Sequence, residues 1–462
     1  NAGLASNYTL TGGTHNFTVN PKVVSIQGNK TYDGNTTINT SDITAIVDTV
    51  GSETLVMSSG TGTLSSANVN NYFSGNINEG SLTLGDGTGL ASNYTLTGHA
   101  ASTFQVTQAP VTLSGSKTYD STTTVSSSNL TVASGLIGSE TLGLTGDVDT
   151  NSANAGTYVA SSGQITPTSI ALADGSNGGL AANYAISDAT VTINQKAISL
   201  SGTRLYDATT DAVASDLTTI SGRVGTETLT LSGTGSVTDA NVAPNKTVTV
   251  GTLALGDGTG LAANYTLSGG THQLTVDQAP ISFTGTRTYN ATTNVEVANI
   301  TLTGQQGGED LTVTGVGSIT SGNVGSGKTA NVTGLTIGDG VSGTPGTATN
   351  YTFTGGTQTF DVTQAQLTIS GSREYDGTQK IESSSMSLSG LQGGETLTIN
   401  DSILTTSSNV GTYSTGTSTI LDGDLNSASY KKISSQAGDG AVNWPGTGSS
   451  SLSKNSGDSD SD

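Results

Sequence analysis

Residues 109–124 read APVTLSGSKTYDSTTT, and this stretch decides how the chain folds. Val111 and Leu113 alternate with Thr112 and Ser114, the period of two expected of a strand with one buried face. The strand runs into Tyr119-Asp120 and then a hydroxyl-rich turn. The same phrase stands at four other places: KTYDGNTT from Lys30, RLYDATTD from Arg204, RTYNATTN from Arg287 and REYDGTQK from Arg373. Its tyrosines, Tyr32, Tyr119, Tyr206, Tyr289 and Tyr375, lie 83 to 87 residues apart. Solenoid repeats run about 20 to 45 residues and cannot bury a core singly, whereas a unit of this length can hold a small core of its own.

Other phrases keep the same period. A Glu two residues before Leu follows 20 or 21 residues after each tyrosine, at Glu53, Glu140, Glu227, Glu309 and Glu395. A phrase of the type NVGTY starts at Asn68, Asn154, Asn241, Asn323 and Asn409. A closing phrase, GDGTGLASNYTLTG around Tyr94 and GDGTGLAANYTLSGG around Tyr265, has weaker copies around Tyr8, Tyr184 and Tyr351. Units therefore run 21–107, 108–194, 195–277, 278–363 and 364–430. The fifth is expected to be incomplete, because it lacks the closing phrase. Residues 1–20 read as the closing strand segment of a preceding repeat, so the chain is expected to be a piece of a longer protein. Residues 431–462 read as a flexible acidic Gly/Ser/Asp tail. Turn signals every 8 to 12 residues, Thr- and Val-rich runs and the near absence of helical periodicity predict an all-β chain. The expected fold is a tandem array of about five small β-sandwich (Ig-like) domains, with β-grasp-like units as the alternative.

Composition narrows function. The 462 residues include no Cys, 3 His and 14 Lys plus Arg, with a net charge of −21. There is no thiol for a nucleophile, a thiolate metal site or a disulfide framework. Nucleic-acid binding needs a basic footprint that is lacking. No run approaches the ~18 apolar residues of a membrane helix. No catalytic residue and no cofactor are expected, and the chain is read as a non-enzyme.

The recurring polar residues have structural readings. Asp33, Asp120, Asp207 and Asp376 follow the phrase tyrosine, but Asn290 stands there in the fourth unit. A turn-capping acceptor tolerates that exchange, and a general base does not. Lys30, Lys117, Arg204, Arg287 and Arg373 precede the tyrosine by two and either pair with the recurring Glu of their own unit or line a solvated strand edge. Asp86, Asp174, Asp257 and Asp339 sit in Gly-rich loops and are weak calcium candidates. Each loop offers one carboxylate where calcium takes six to eight oxygens. A composite site shared with a neighbouring unit's Glu is the alternative. GDGTG does not lead from a strand into a helix, so it is no phosphate cradle. His15 and His272 share one register, which Gln358 fills in the fourth copy, against a metal role. Asn7, Asn93, Asn264 and Asn350 stand in NYT sequons.

The combination of KTYDGNTT, GSETL, NVGTY and GDGTGLAxNYTLTGG resembles the YDG-type repeats of bacterial filamentous-haemagglutinin-like (two-partner secretion) surface adhesins. The resemblance covers about 430 of the 462 residues. It implies an exported chain at the bacterial cell surface whose repeats form a stalk or spacer. Host or bacterial surface ligands would then be held by other regions of the parent protein, supporting adhesion or biofilm. Asn290 and the missing closing phrase depart from the pattern without touching the fold. One alternative is a self-assembling fibre, in which residues 4–20 complete the fifth unit of another molecule by strand donation. The other is direct binding of glycan or protein ligands by the repeats.

Overall fold

The computed structural model describes residues 2–97, 101–399, 402–405, 407–413, 420–422 and 430–431. The predicted tail at 431–462 lies, beyond Lys431, outside the described residues. The chain is all-β: the described residues form short strands and three-residue 3-10 turns, with no α-helix. No helix among them is long and apolar enough to cross a membrane. The chain divides into two compact units, 1–199 with 221–230 and 255–270, and 200–220 with 231–254 and 271–462, so that the third repeat is shared between them.

The second repeat represents the others. Its opening strand, Ala109–Thr118, pairs in parallel with its last strand, Tyr184–Asn194. Leu130–Ser134 flanks the opening strand antiparallel, and Gly156–Val159 flanks the last strand antiparallel. The sheet order is therefore second, first, last, third with a parallel centre, and the first and third repeats repeat it. An Ig-type sandwich has antiparallel sheets, so of the two expected topologies this order is that of the β-grasp-like alternative. Where a helix would cover such a sheet, small antiparallel sheets lie instead: Thr124–Ser126 with Asp147–Thr150 and Ile165–Pro167, and Leu142–Thr145 with Ala171–Asp174.

Alternation builds the core. Val111, Leu113, Val191 and Ile193 are each 2% exposed or less, and the Thr and Ser between them face outward. In the first repeat Ile26, Ile38, Phe104 and Val106 do the same. A glycine sits in every opening strand because the neighbouring backbone comes too close for a side chain. A Cβ on Gly115 would lie 2.0 Å from the Asn129 carbonyl oxygen, and one on Gly28 would lie 2.6 Å from the Phe104 ring. Because first and last strands are parallel, the chain leaves a repeat at the opposite end from where it came in. One residue then separates that last strand from the next opening strand: Gln108, Gln195, Gln278 or Gln364.

Two expectations change. The fifth repeat does carry a closing phrase, in the degenerate form LDGDLNSASY. Asp422 pairs with Leu397 as Asp86 pairs with Leu55, and Tyr430 pairs with Ala365 as Tyr351 pairs with Ala279. Asp422 and Tyr430 stand eight positions apart, as do Asp86 and Tyr94; the letters between them have drifted while the strand pairings at the two ends are kept. Residues 2–20 form no strand. In complete repeats this segment pairs with the opening strand of its own repeat, and residues 2–20 meet no such partner among the described residues. Tyr8, Leu10, Phe17 and Val19 are 78% to 95% exposed.

Candidate functional site

Recurring tyrosines, glutamates and asparagines converge where one repeat meets the next. Glu140 of the second repeat accepts two phenols. Tyr32 of the first repeat donates to Oε1 at 2.6 Å, and Tyr184 of the second donates to Oε2 at 2.6 Å. The two rings meet edge to face with centroids 5.4 Å apart, the geometry that aromatic quadrupoles favour. The clasp repeats with Tyr119 and Tyr265 on Glu227, at 2.7 and 2.6 Å, and with Tyr206 and Tyr351 on Glu309, at 2.5 and 2.6 Å. Ring centroids there are 5.4 and 5.3 Å apart. Tyr289 donates to Glu395 Oε1 in the same way.

Each part is held from beneath. The Glu sits at the end of a turn, with Glu140 N–H donating to the Ile137 carbonyl. Ile137 N–H in turn donates to the Tyr184 hydroxyl, leaving that phenol's own proton directed at Glu140. The turn carries a glycine two residues before Glu. Gly307 has φ +59°, and a Cβ there would lie 2.8 Å from the Ala208 Cβ of the preceding repeat. Both the left-handed backbone and the close approach call for glycine.

A second bond lies beside the clasp. Asn183 donates to Asn68 Oδ1 at 3.0 Å and accepts Val69 N–H at 3.0 Å. Asn264 treats Asn154 and Ala155 alike, and Asn350 treats Asn241 and Val242 alike. All three amides are 1% exposed. Within the sequons this closes Asn264 and Asn350 to a glycan, whereas Asn7 and Asn93 are exposed. The linker glutamine adds a third tie: Gln108 donates to the carbonyls of Ala182 and Tyr184, and Gln278 to those of Thr349 and Tyr351.

The cation of the opening phrase does not pair with the recurring Glu, which corrects that expectation. It turns back into its own loop. Lys30 Nζ lies 2.9 Å from Asp33 Oδ1, 2.7 Å from the Asn35 carbonyl and 2.9 Å from the Thr37 carbonyl. Lys117 does the same with Asp120, Thr122 and Thr124. Arg204, Arg287 and Arg373 pair with Asp207, Asn290 and Asp376. The acid also accepts the backbone N–H two residues on, as Asp33 from Asn35, Asn290 from Thr292 and Asp376 from Thr378. Asn can replace Asp at that turn because only the acceptor oxygen is used.

The Gly-loop acids each cap a closing loop. Asp86, Asp174, Asp257 and Asp339 accept the N–H of Ala91, Ala181, Ala262 and Ala348 at 2.7 to 2.8 Å. Those loops differ in length, but each places the following Asn-Tyr pair. Among the described residues no group of three or more His, Asp or Glu is gathered as a metal would require. His15 lies 3.0 Å from the Leu10 carbonyl, and Gln358 in the same register donates to the Phe353 carbonyl. Their shared role is to close the Gly-Gly turn.

Charge follows from these contacts. Burial first, then the Glu140 carboxylate, pushes the Tyr32 hydroxyl up to about 12. Tyr206, Tyr265 and Tyr289 are likewise raised to about 12, and Tyr119, Tyr184 and Tyr351 are raised too. The phenols therefore stay neutral donors across the physiological range. Burial alone would raise Asp33, Asp120 and Asp207, but the adjacent cation and the hydrogen bonds of the turn outweigh it and hold all three low. The arrangement joins repeats through phenols that stay protonated near neutral pH.

A search of curated proteins finds no match to this chain. The YDG domain family matches residues 190–273 and again 270–360. Those spans carry the clasp residues Tyr206, Glu227, Tyr265, Glu309 and Tyr351, so this chain carries a YDG-type repeat region.

Proposed function

We propose that the chain is a spacer: YDG-type repeats of an exported bacterial surface protein that hold a binding region, located elsewhere in the parent protein, away from the cell. The observation that carries this reading is the recurrence of one Tyr–Glu–Tyr clasp where consecutive repeats meet, with a single glutamine as the link. A chain built to bind a ligand with each repeat would vary its exposed loops and keep its joints free. Here the recurring Tyr, Glu and Asn side chains meet at the joints. Parallel first and last strands support the same reading, because each repeat advances the chain by its own length. On this reading the chain performs no catalysis and takes no cofactor, and its place is outside the cell.

Small-angle scattering of the dilute chain, with and without EDTA, tests this. At roughly 40 Å per repeat, the dimension of a compact unit of this size, a stiff array spans about 200 Å. A maximum dimension near that value, unchanged by EDTA, is the expected result. A compact particle or a flexible-chain profile would overturn the spacer reading, and softening in EDTA would bring back a junctional calcium site. Saturable binding of a glycan or protein by the repeats themselves would move the function to direct adhesion.

A further inference from the structure

Tension on the chain passes through each repeat along one pair of strands. In the second repeat the chain enters at Ala109 and leaves at Asn194, at opposite ends of the same parallel pair. A pull from both sides therefore draws Ala109–Thr118 and Tyr184–Asn194 past each other lengthwise, and the hydrogen bonds between them are loaded together. Had the two strands been antiparallel, entry and exit would lie at one end, and the pair would open bond by bond. Several contacts oppose the sliding. Ten positions are in register in the second repeat. Six are in register in the third and fourth and five in the first, each extended at the entry by a two-residue pair. Where the register slips, between Val111 and Thr112, the Ser187 hydroxyl donates to the Val111 carbonyl at 3.0 Å. At the exit, the backbone N–H of Tyr32, Tyr119, Tyr206 and Tyr289 donates at 2.8 Å to the carbonyl that ends the last strand. In all four repeats a further strand flanks each member of the pair. Val111 and Val191 beneath it are fully buried, so water is kept from the bonds on that face.

We propose that the repeats bear tensile load, with the parallel pair of first and last strands as the clamp that keeps each repeat shut while the chain is pulled. This goes beyond the spacer reading: a spacer sets a distance, whereas a clamp sets the pull at which that distance is lost. The load path stays inside each repeat and crosses to the next through the single linking glutamine. The Tyr–Glu–Tyr clasp lies beside that path and orients neighbours without carrying the pull. Resistance of this kind belongs to a direction, not to stability as such. Forced unfolding is governed by the unfolding rate, and the barrier is high only when the two strands are made to slide.

Single-molecule pulling of the full chain in two directions tests it. The sequence contains no cysteine, so handles attach only where one is introduced. Pro110, Thr118 and Asn194 are all exposed, and replacing them should leave the fold and the thermal melt unchanged. Handles on Pro110→Cys with Asn194→Cys load the pair lengthwise. Handles on Thr118→Cys with Asn194→Cys pull apart two residues that face each other across the pair, and so open it from one end. At the same loading rate the first chain should yield in one event, releasing about 290 Å of backbone, at a force several-fold above the second, which releases about 260 Å. Scattering of the unloaded chain reads the spacer function separately. Equal forces in the two directions, with matching melts, overturn the proposal, and so does gradual lengthening of the first chain. Adding Glu140→Gln, which loosens the joint to the first repeat, should leave the lengthwise force unchanged. A fall to the level of the second chain would put the load in the joint and overturn the clamp.

Discussion

Replacing Tyr32 by Phe removes one oxygen from the junction of the first two repeats and leaves the ring in place. That ring is 5% exposed, and its edge-to-face contact with Tyr184 does not involve the hydroxyl. What is lost is the hydrogen bond to Glu140 Oε1 at 2.6 Å. A hydrogen bond to a charged group contributes about 1.5 to 3 kcal/mol net. Glu140 is only half-buried, so water can take over part of the phenol's role, and the cost should fall near the low end, about 1.5 to 2 kcal/mol. For a domain of this size 1 kcal/mol moves Tm by roughly 4 to 8 °C, so repeats one and two should melt roughly 6 to 16 °C early. Calorimetry of the full chain would then show a separate low shoulder. Glu140→Gln should cost a similar amount, since an amide cannot accept from both phenols. The double variant should cost less than the sum, with a coupling of about 1 kcal/mol or more, as for groups in direct contact. Hydrogen exchange at residues 24–32 and 137–141 should rise together in both single variants. Tyr375→Phe, at the exposed equivalent, is the control and should change stability by less than about 0.5 kcal/mol. Strict additivity of Tyr32→Phe and Glu140→Gln, with exchange confined to the mutated repeat, would refute the clasp as the link between repeats.

Asn350→Ala should cost about 1 to 3 kcal/mol, because Val242 N–H and Asn241 lose a buried partner, and chemical denaturation of the full chain would read it. Gly307→Ala should destabilise the junction of repeats three and four by about 1 to 2 kcal/mol from the left-handed backbone alone, with the Ala208 contact adding to it; the same change at the exposed, unclashed Gly51 isolates the backbone part. Lys117→Met should cost about 2 to 3 kcal/mol by leaving Asp120 and two carbonyls short of a donor. Lys117→Arg should be tolerated, since Arg fills that register in repeats three to five. The pH profile has two limbs. Asp33, Asp120 and Asp207 sit below their unfolded values, so their contribution is full above about pH 4 and is lost as pH falls through the lowered folded values. The clasp tyrosines are raised to about 12, so the folded chain binds more protons than the unfolded one from about pH 10 upward. Stability should hold to about pH 10 and then decline toward 12. Ultraviolet titration should show the clasp tyrosines Tyr32, Tyr206, Tyr265 and Tyr289 ionising only toward about pH 12, and their ionisation near about pH 10 would contradict the geometry.

Much of this protein was legible before any coordinates. The spacing of Tyr32, Tyr119, Tyr206, Tyr289 and Tyr375 marked the repeats, because a recurring fold must return the same side chain to the same place. Alternation in VTLSG and similar runs marked strands, because a sheet with one buried face imposes a period of two on polarity. The Asp/Asn exchange at Asn290 marked a turn acceptor. Partnership was not legible. Every repeat contains both the tyrosine and the glutamate at nearly constant separation, so periodicity locates each residue only to within one repeat. Pairing within a unit and pairing with the next unit leave the same pattern in the letters. The cation invited pairing with Glu because opposite charges are read as partners, whereas the chain folds Lys30 back onto Asp33 three residues away. The fifth repeat's closing phrase was missed because its letters changed while its strand pairing did not. The sequence by itself determined the period, the strand character and the residues that matter. Only the tertiary structure decided the parallel centre of the four-stranded sheets and the assignment of each opening-phrase tyrosine from Tyr32 to Tyr289 to the following repeat's glutamate. Both depend on which distant segments the backbone brings together, and that is set by the packing of the whole repeat.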